Sequence, residues 1–112
     1  MKIETLMKQG ILIVRLKGEF DIESTNDFKK SIDNALNTNE TKDILLNLQE
    51  VSFIDSSGLG VILGRYKNIN LLGGQIVISN INPKIKKVLE LSGFEQIMQI
   101  AETEEEALAL FN

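Results

Sequence analysis

The run Ile44-Leu45-Leu46-Asn47-Leu48 is apolar at every position but one. A strand with one wet face alternates in polarity, whereas a near-continuous apolar run reads as a central strand covered on both faces. Gln75-Ile76-Val77-Ile78-Ser79 reads as a second central strand. The segments around these strands carry helical spacing, so strands and helices alternate along the chain. That alternation predicts an α/β domain with a largely parallel sheet and right-handed crossovers. The 112 residues suit one compact domain spanning 1–112. A hydrophobic content of 43% is enough for a core and argues against disorder. No linker, repeat or low-complexity segment interrupts the pattern.

Met1 to Met7 alternates loosely and predicts a short edge strand, with a turn at Lys8-Gln9-Gly10. Ile11 to Lys17 is a strand with Leu12, Val14 and Leu16 on one face and Arg15 and Lys17 on the other, beside Ile11 and Ile13. Its partly polar second face predicts an antiparallel hairpin with the first strand. Gly18-Glu19-Phe20-Asp21 closes it. Ser24 and Asp27 stand in capping-box spacing, ahead of a buried helical stripe of Phe28, Ile32, Ala35 and Leu36. Further on, Gly73-Gly74 stops a helix that runs to about residue 71 or 72. Asn82 as N-cap with Pro83 in the first turn starts the next, which buries Ile85, Val88 and Leu89 and ends at Ser92-Gly93. Ile97 to Ile100 predicts a short edge strand. Thr103 and Glu106 form another capping box, and Ala107, Leu108, Leu110 and Phe111 dock a last helix on the sheet. The acidic run Glu104-Glu105-Glu106 suits that helix's dipole.

Between the central strands lies Val51-Ser52-Phe53-Ile54-Asp55-Ser56-Ser57-Gly58, a strand end in which Val51, Phe53 and Ile54 are expected to be buried, then a small polar turn. Leu59, Ile62, Leu63, Tyr66 and Ile69 follow at the spacing of one helical face. Asp55 or a serine therefore takes the N-cap. Free N–H groups and the positive end of the helix dipole converge there, which suits an anion such as a phosphate. Ser56 and Ser57 have two readings at such a place: caps alone, or a modification site. Cysteine and histidine are both absent, which removes disulfides, thiolate metal sites and a Ser-His-Asp triad. Ser56 then has no base of its own, and Asp55 serves as a cap and local anion or orients the hydroxyl for an incoming kinase. The reading is of a chain with no catalytic residues, no cofactor and no metal, since no EF-hand spacing occurs either.

Gly58-Leu59-Gly60 falls short of the dinucleotide fingerprint, which needs its third small residue where Leu63 stands; Gly64 is one place late. No P-loop frame is present. A glycine inside a helix costs about 1 kcal/mol relative to alanine. Close packing on the sheet would explain Gly58, Gly60 and Gly64, and so would a smooth face for a partner, with Leu59 and Val61 as an apolar patch beside the serine. The net charge of −4 gives no support for nucleic-acid binding. Met1-Lys2-Ile3-Glu4-Thr5 does not read as a signal peptide, and no apolar stretch reaches the roughly 18 residues of a membrane span. A soluble, cytoplasmic protein without a membrane partner is expected.

Phe53 through Lys67 resembles the signature of STAS domains that act as anti-sigma factor antagonists, most of all the sporulation members directed at the anti-sigma factor of sigma F. The likeness extends to Leu16-Lys17-Gly18-Glu19-Phe20-Asp21, to Ile44–Leu48 and to Leu91-Ser92-Gly93-Phe94. The resemblance implies a single STAS domain: a mixed, mostly parallel sheet of about five strands with about four helices packed mainly on one face. It also implies that Ser56, directly after the aspartate, is phosphorylated. The unphosphorylated protein would bind an anti-sigma factor that is also a serine kinase, phosphorylation would release it, and a PP2C-type serine phosphatase would reset the switch. Asp21 would neighbour this region, so the expected partner surface comprises Asp21, Asp55, Ser57, Gly58, Leu59 and Val61. Two alternatives stand beside this reading: a non-phosphorylated STAS scaffold in a stress-signalling or transporter-associated complex, and a small nucleotide-binding protein.

Overall fold

The computed structural model describes residues 1–111. Five strands form one sheet in chain order: β1 (Lys2–Lys8), β2 (Ile11–Phe20), β3 (Ile44–Ile54), β4 (Ile76–Ser79) and β5 (Gln99–Ala101). β1 runs antiparallel to β2, from Lys2↔Lys17 to Lys8↔Ile11, and the other pairs are parallel. The helices are α1 (Thr25–Asn39), α2 (Ser56–Leu71), α3 (Pro83–Leu91) and α4 (Glu104–Leu108), with a 3-10 turn at Phe94–Gln96.

Strand alternation divides the core. Leu12, Val14 and Leu16 of β2, Ile44, Leu46 and Leu48 of β3, and Ile76 and Ile78 of β4 face α1, α2 and α3. They pack there on Phe28, Ile32, Ile62, Ile69, Ile85 and Leu89. Ile11, Ile13, Leu45, Val77 and Ala101 point the other way, onto Ala107 of α4, with Leu6, Leu108 and Phe111 at the margin. Three helices on one face and one short helix on the other match the expected layering. Arg15 ties the second layer down: its guanidinium donates to both carboxylate oxygens of Glu104 at 2.9 Å, and the Asn47 amide adds a 2.7 Å bond.

Several local expectations are corrected. β2 does not close at Gly18 but runs to Phe20, because it stays paired with β3 through Gly18↔Val51, Glu19↔Phe53 and Phe20↔Ile54. Phe20 is fully buried and stacks at a tilt on Phe28, ring centroids 4.9 Å apart. Ser24 does not cap α1. Its own backbone is already helical and no side-chain cap bond forms, since its hydroxyl turns back, accepting from the Asp21 N–H (3.0 Å) and donating to Asp21 Oδ1 (2.9 Å). Phe53 is 44% exposed, because the β2–β3 register shifts between Gly18↔Val51 and Glu19↔Phe53, and this irregularity lets Val51 and Ile54 both reach the core while Phe53 turns outward. β5 starts at Gln99 rather than Ile97: the 3-10 turn buries Phe94 and Met98 under the sheet edge and leaves Ile97 outside.

The remaining caps form as the sequence predicts. Asn82 Oδ1 accepts from the Ile85 N–H at 3.0 Å and Thr103 Oγ1 from the Glu106 N–H at 3.1 Å. Gly73, at φ 84°, ends α2 in the left-handed conformation that glycine adopts without steric cost.

Candidate functional site

The parallel strands carry their C-terminal ends to one edge of the sheet, where α/β folds place their sites. β2 and β3 extend past their neighbours there and turn together. Ile54 is the last residue of β3. Asp55 stays extended (φ −103°, ψ −176°), and Ser56 begins α2. The Asp55 N–H donates to the Phe20 carbonyl (3.3 Å), Asp55 Oδ1 accepts from the Gly58 N–H (3.0 Å), and its carbonyl accepts from the Leu59 N–H (3.0 Å). Asp55 is therefore the N-cap, and neither serine is needed for that role.

Ser56 is exposed and Ser57 partly so. The Ser56 side chain makes no hydrogen bond to another described residue. Its hydroxyl thus stands in solvent at the first position of a 16-residue helix whose first turn contains no acidic residue. Gly58 is buried beneath it. A Cβ there would lie 2.6 Å from the Phe20 carbonyl oxygen and 2.9 Å from side-chain carbons of Ile54 and Phe20, so only glycine lets the helix start this close to β2. Close packing does not explain Gly60 and Gly64, where an added Cβ meets nothing within 4 Å.

Asp21 follows Phe20, so the Asp55–Phe20 hydrogen bond sets the Asp21 turn beside the Ser56 turn. The Ser24 hydroxyl, then backbone N–H groups, hold the Asp21 carboxyl below the usual carboxylate range. Glu19, Glu23 and Asp27 line the same shallow depression, together with Met1 and Ser24. Leu59 and Val61 are half-buried against the main core. Exposed apolar residues at this end include Ile22, at 70%, Phe53 and Met1. Sequence reasoning missed Ile22; the available signal was an isolated apolar residue in an otherwise polar turn.

Asp55 Oδ1 is engaged by the Gly58 N–H, and the sequence contains no histidine to partner Ser56. The Gly58 N–H is spent on Asp55 rather than offered to a pyrophosphate. Among the described residues no group of three or more acidic side chains is arranged to hold a metal, and no helix is long and apolar enough to cross a membrane.

The model of the STAS domain matches residues 2–107. The chain belongs to the STAS family. Among curated STAS relatives, an anti-sigma F factor antagonist of Paenibacillus polymyxa is 42% identical over 108 residues, which are 96% of this chain and 92% of the relative. Among solved structures, a candidate anti-sigma factor antagonist of Thermotoga maritima superposes with a TM-score of 0.89 at 30% identity, covering 96% of this chain and 92% of that one. The Bacillus antagonist SpoIIAA matches in both of its forms. The unphosphorylated form gives a TM-score of 0.75 at 28% identity over 96% of each chain; the phosphorylated form gives 0.73 at 30% identity over 96% and 97%. The STAS fold therefore accounts for the five-stranded mixed sheet and its four helices.

Proposed function

We propose that this STAS domain is an anti-sigma factor antagonist switched by phosphorylation of Ser56. The observation that carries the reading is the uncommitted hydroxyl at the start of α2, exposed while Asp55 does the capping. The relatives named as anti-sigma factor antagonists supply the partner class, and the existence of a phosphorylated SpoIIAA supports the chemistry. In the unphosphorylated state the chain binds an anti-sigma factor that is also a serine kinase and so releases the sigma factor. The kinase transfers the γ-phosphoryl group of ATP to Ser56 Oγ, ADP leaves, and the hydroxyl proton passes to the kinase. A PP2C-type phosphatase reverses the step. This chain is the substrate and the binding module, not the catalyst.

A phosphate adds about −1.5 to −2 charges and three acceptor oxygens. The open helix N-terminus tolerates that charge locally, so the fold stays as it is. The cost falls on the interface. A partner closing over phosphoserine must desolvate a charge flanked by Asp55 and the Asp21 turn, and an unpaired buried charge is expensive. A difference of about 1.4 kcal/mol already weakens binding tenfold. The test is incubation with the anti-sigma factor kinase and ATP, followed by intact mass, mapping of the modified residue and a binding measurement before and after. One phosphoryl group on Ser56 with loss of binding is expected. Label on Ser57 refutes the residue assignment, and no label at all favours the scaffold reading.

A further inference from the structure

β3 outruns β4. Their pairing ends at Asn47↔Ser79, yet β3 continues to Ile54. On its other side β3 remains paired with β2 up to Phe20↔Ile54. The edge of β3 that faces β4 has no strand beside it over this last stretch, which ends at Ile54, two residues before Ser56. One side chain fills the gap. The Asn82 amide donates to the carbonyl oxygens of Val51 (2.8 Å) and Gln49 (3.2 Å), while its Oδ1 caps α3. The loop that carries Asn82 is held from the other direction, where the Asn80 N–H donates to the Ala101 carbonyl at 3.2 Å.

We infer that Asn82 is a positioning residue for Ser56, acting as a one-residue substitute for the missing strand. Its two ends have separate jobs: the oxygen starts α3 and the amide nitrogen holds the β3 overhang. Only Ser52 to Asp55 separate the held Val51 carbonyl from the serine, so slack at Val51 reaches the hydroxyl. Aspartate at this position would keep the cap but lose the donor and set a negative charge against two carbonyls. Serine would keep the cap without the charge and without the reach.

The inference rests on Ser56 being the switch, and two readouts keep the two ideas apart. Amide hydrogen exchange at Ser52 to Ser57 and the KM and kcat for Ser56 phosphorylation are measured in the full chain. The variants are Asn82→Asp and Asn82→Ser, with Thr103→Ala as a cap-loss control on the opposite face. Losing these hydrogen bonds should speed exchange at Ser52 to Asp55 about fivefold. KM should rise by a similar factor with kcat nearly unchanged, as expected when binding rather than chemistry is impaired, and Thr103→Ala should change neither. Unchanged exchange in both Asn82 variants overturns the positioning role. So does faster exchange with an unchanged KM, or an equal rise in KM for Thr103→Ala. If the wild-type chain takes no phosphate on Ser56, the switch reading fails, and the exchange result alone decides whether Asn82 holds the overhang.

Discussion

Three helices of this protein begin on a side-chain cap, and two of them, α4 and α2, have opposite surroundings. At α4, Thr103 caps and the first turn carries Glu104, Glu105 and Glu106. Glu104 is gripped by Arg15 and Asn47, and the Arg15 hydrogen bonds are the main reason its carboxyl stays below the usual glutamate range. The same pair holds the Arg15 guanidinium above its already high ordinary value. At α2, Asp55 caps, the first turn is free of acid and Ser56 points into solvent. A helix start saturated by its own chain serves as a fastener. One left open remains available to an anion that arrives later.

That contrast is broken most directly at Ser56. Ser56→Ala should abolish phosphoryl transfer and leave the kinase bound in the presence of ATP; release at the wild-type rate would refute the switch. Ser56→Asp should weaken binding about tenfold or more with the melting temperature almost unchanged, since the open helix start accepts the charge. A collapse of Tm instead would mean that this start is as structural as that of α4.

The glycines sharpen the same comparison. Gly58→Ala should cost about 1–3 kcal/mol, because the new methyl group would overlap the Phe20 carbonyl. Gly60→Ala and Gly64→Ala should stabilise the fold by up to about 1 kcal/mol. Denaturant midpoints separate the cases, and equal losses at all three would show that the whole helix face is packed. If the alanines at 60 and 64 stabilise the fold yet weaken kinase binding, the smooth face serves the partner.

Glu104→Gln should cost about 1–2 kcal/mol at neutral pH, the size of a lost charge-assisted hydrogen bond. The folded-state pKa of Glu104 is lowered, so its stabilisation is complete above the ordinary glutamate value and is lost as pH falls through the folded one. Wild type should therefore lose its advantage over the variant on acidification below about pH 4.3. Parallel stability profiles down to acid pH would mean that the Arg15–Glu104 link contributes nothing. The smallest effect belongs to Thr103→Ala, about 0.5–1 kcal/mol, with kinase binding unaffected.

Much of this architecture was readable before any coordinates. The apolar runs at Ile44 and Ile76, the caps at Asp55, Asn82 and Thr103, and the stop at Gly73 are local signals, and each has its cause within a few residues. The exceptions have causes that periodicity and cap spacing do not show. Ser24 had the right spacing for a cap and was drawn away by Asp21. Phe53 had the right hydrophobicity for the core and is turned out by a register shift between β2 and β3. Gly58, Gly60 and Gly64 look alike in the chain, yet only Gly58 lies under a carbonyl from a strand 38 residues earlier in the sequence. Asn82 showed its cap in the sequence and concealed its second grip, on β3.

Residue order was thus sufficient for which segments are strands or helices and for the polar turn in which Ser56 stands, because periodicity and capping act over one or two turns of chain. Folding added which of several similar groups is occupied. It assigned the capping to Asp55 and left Ser56 uncommitted, extended β2 and β3 beyond their neighbours, and brought Asn82 across to hold the overhang. The Asp55 cap itself is a bond to Gly58 three residues on, but the strand extension and the Asn82 grip depend on contacts between residues about 30 or more positions apart, which exist only once the strands lie side by side.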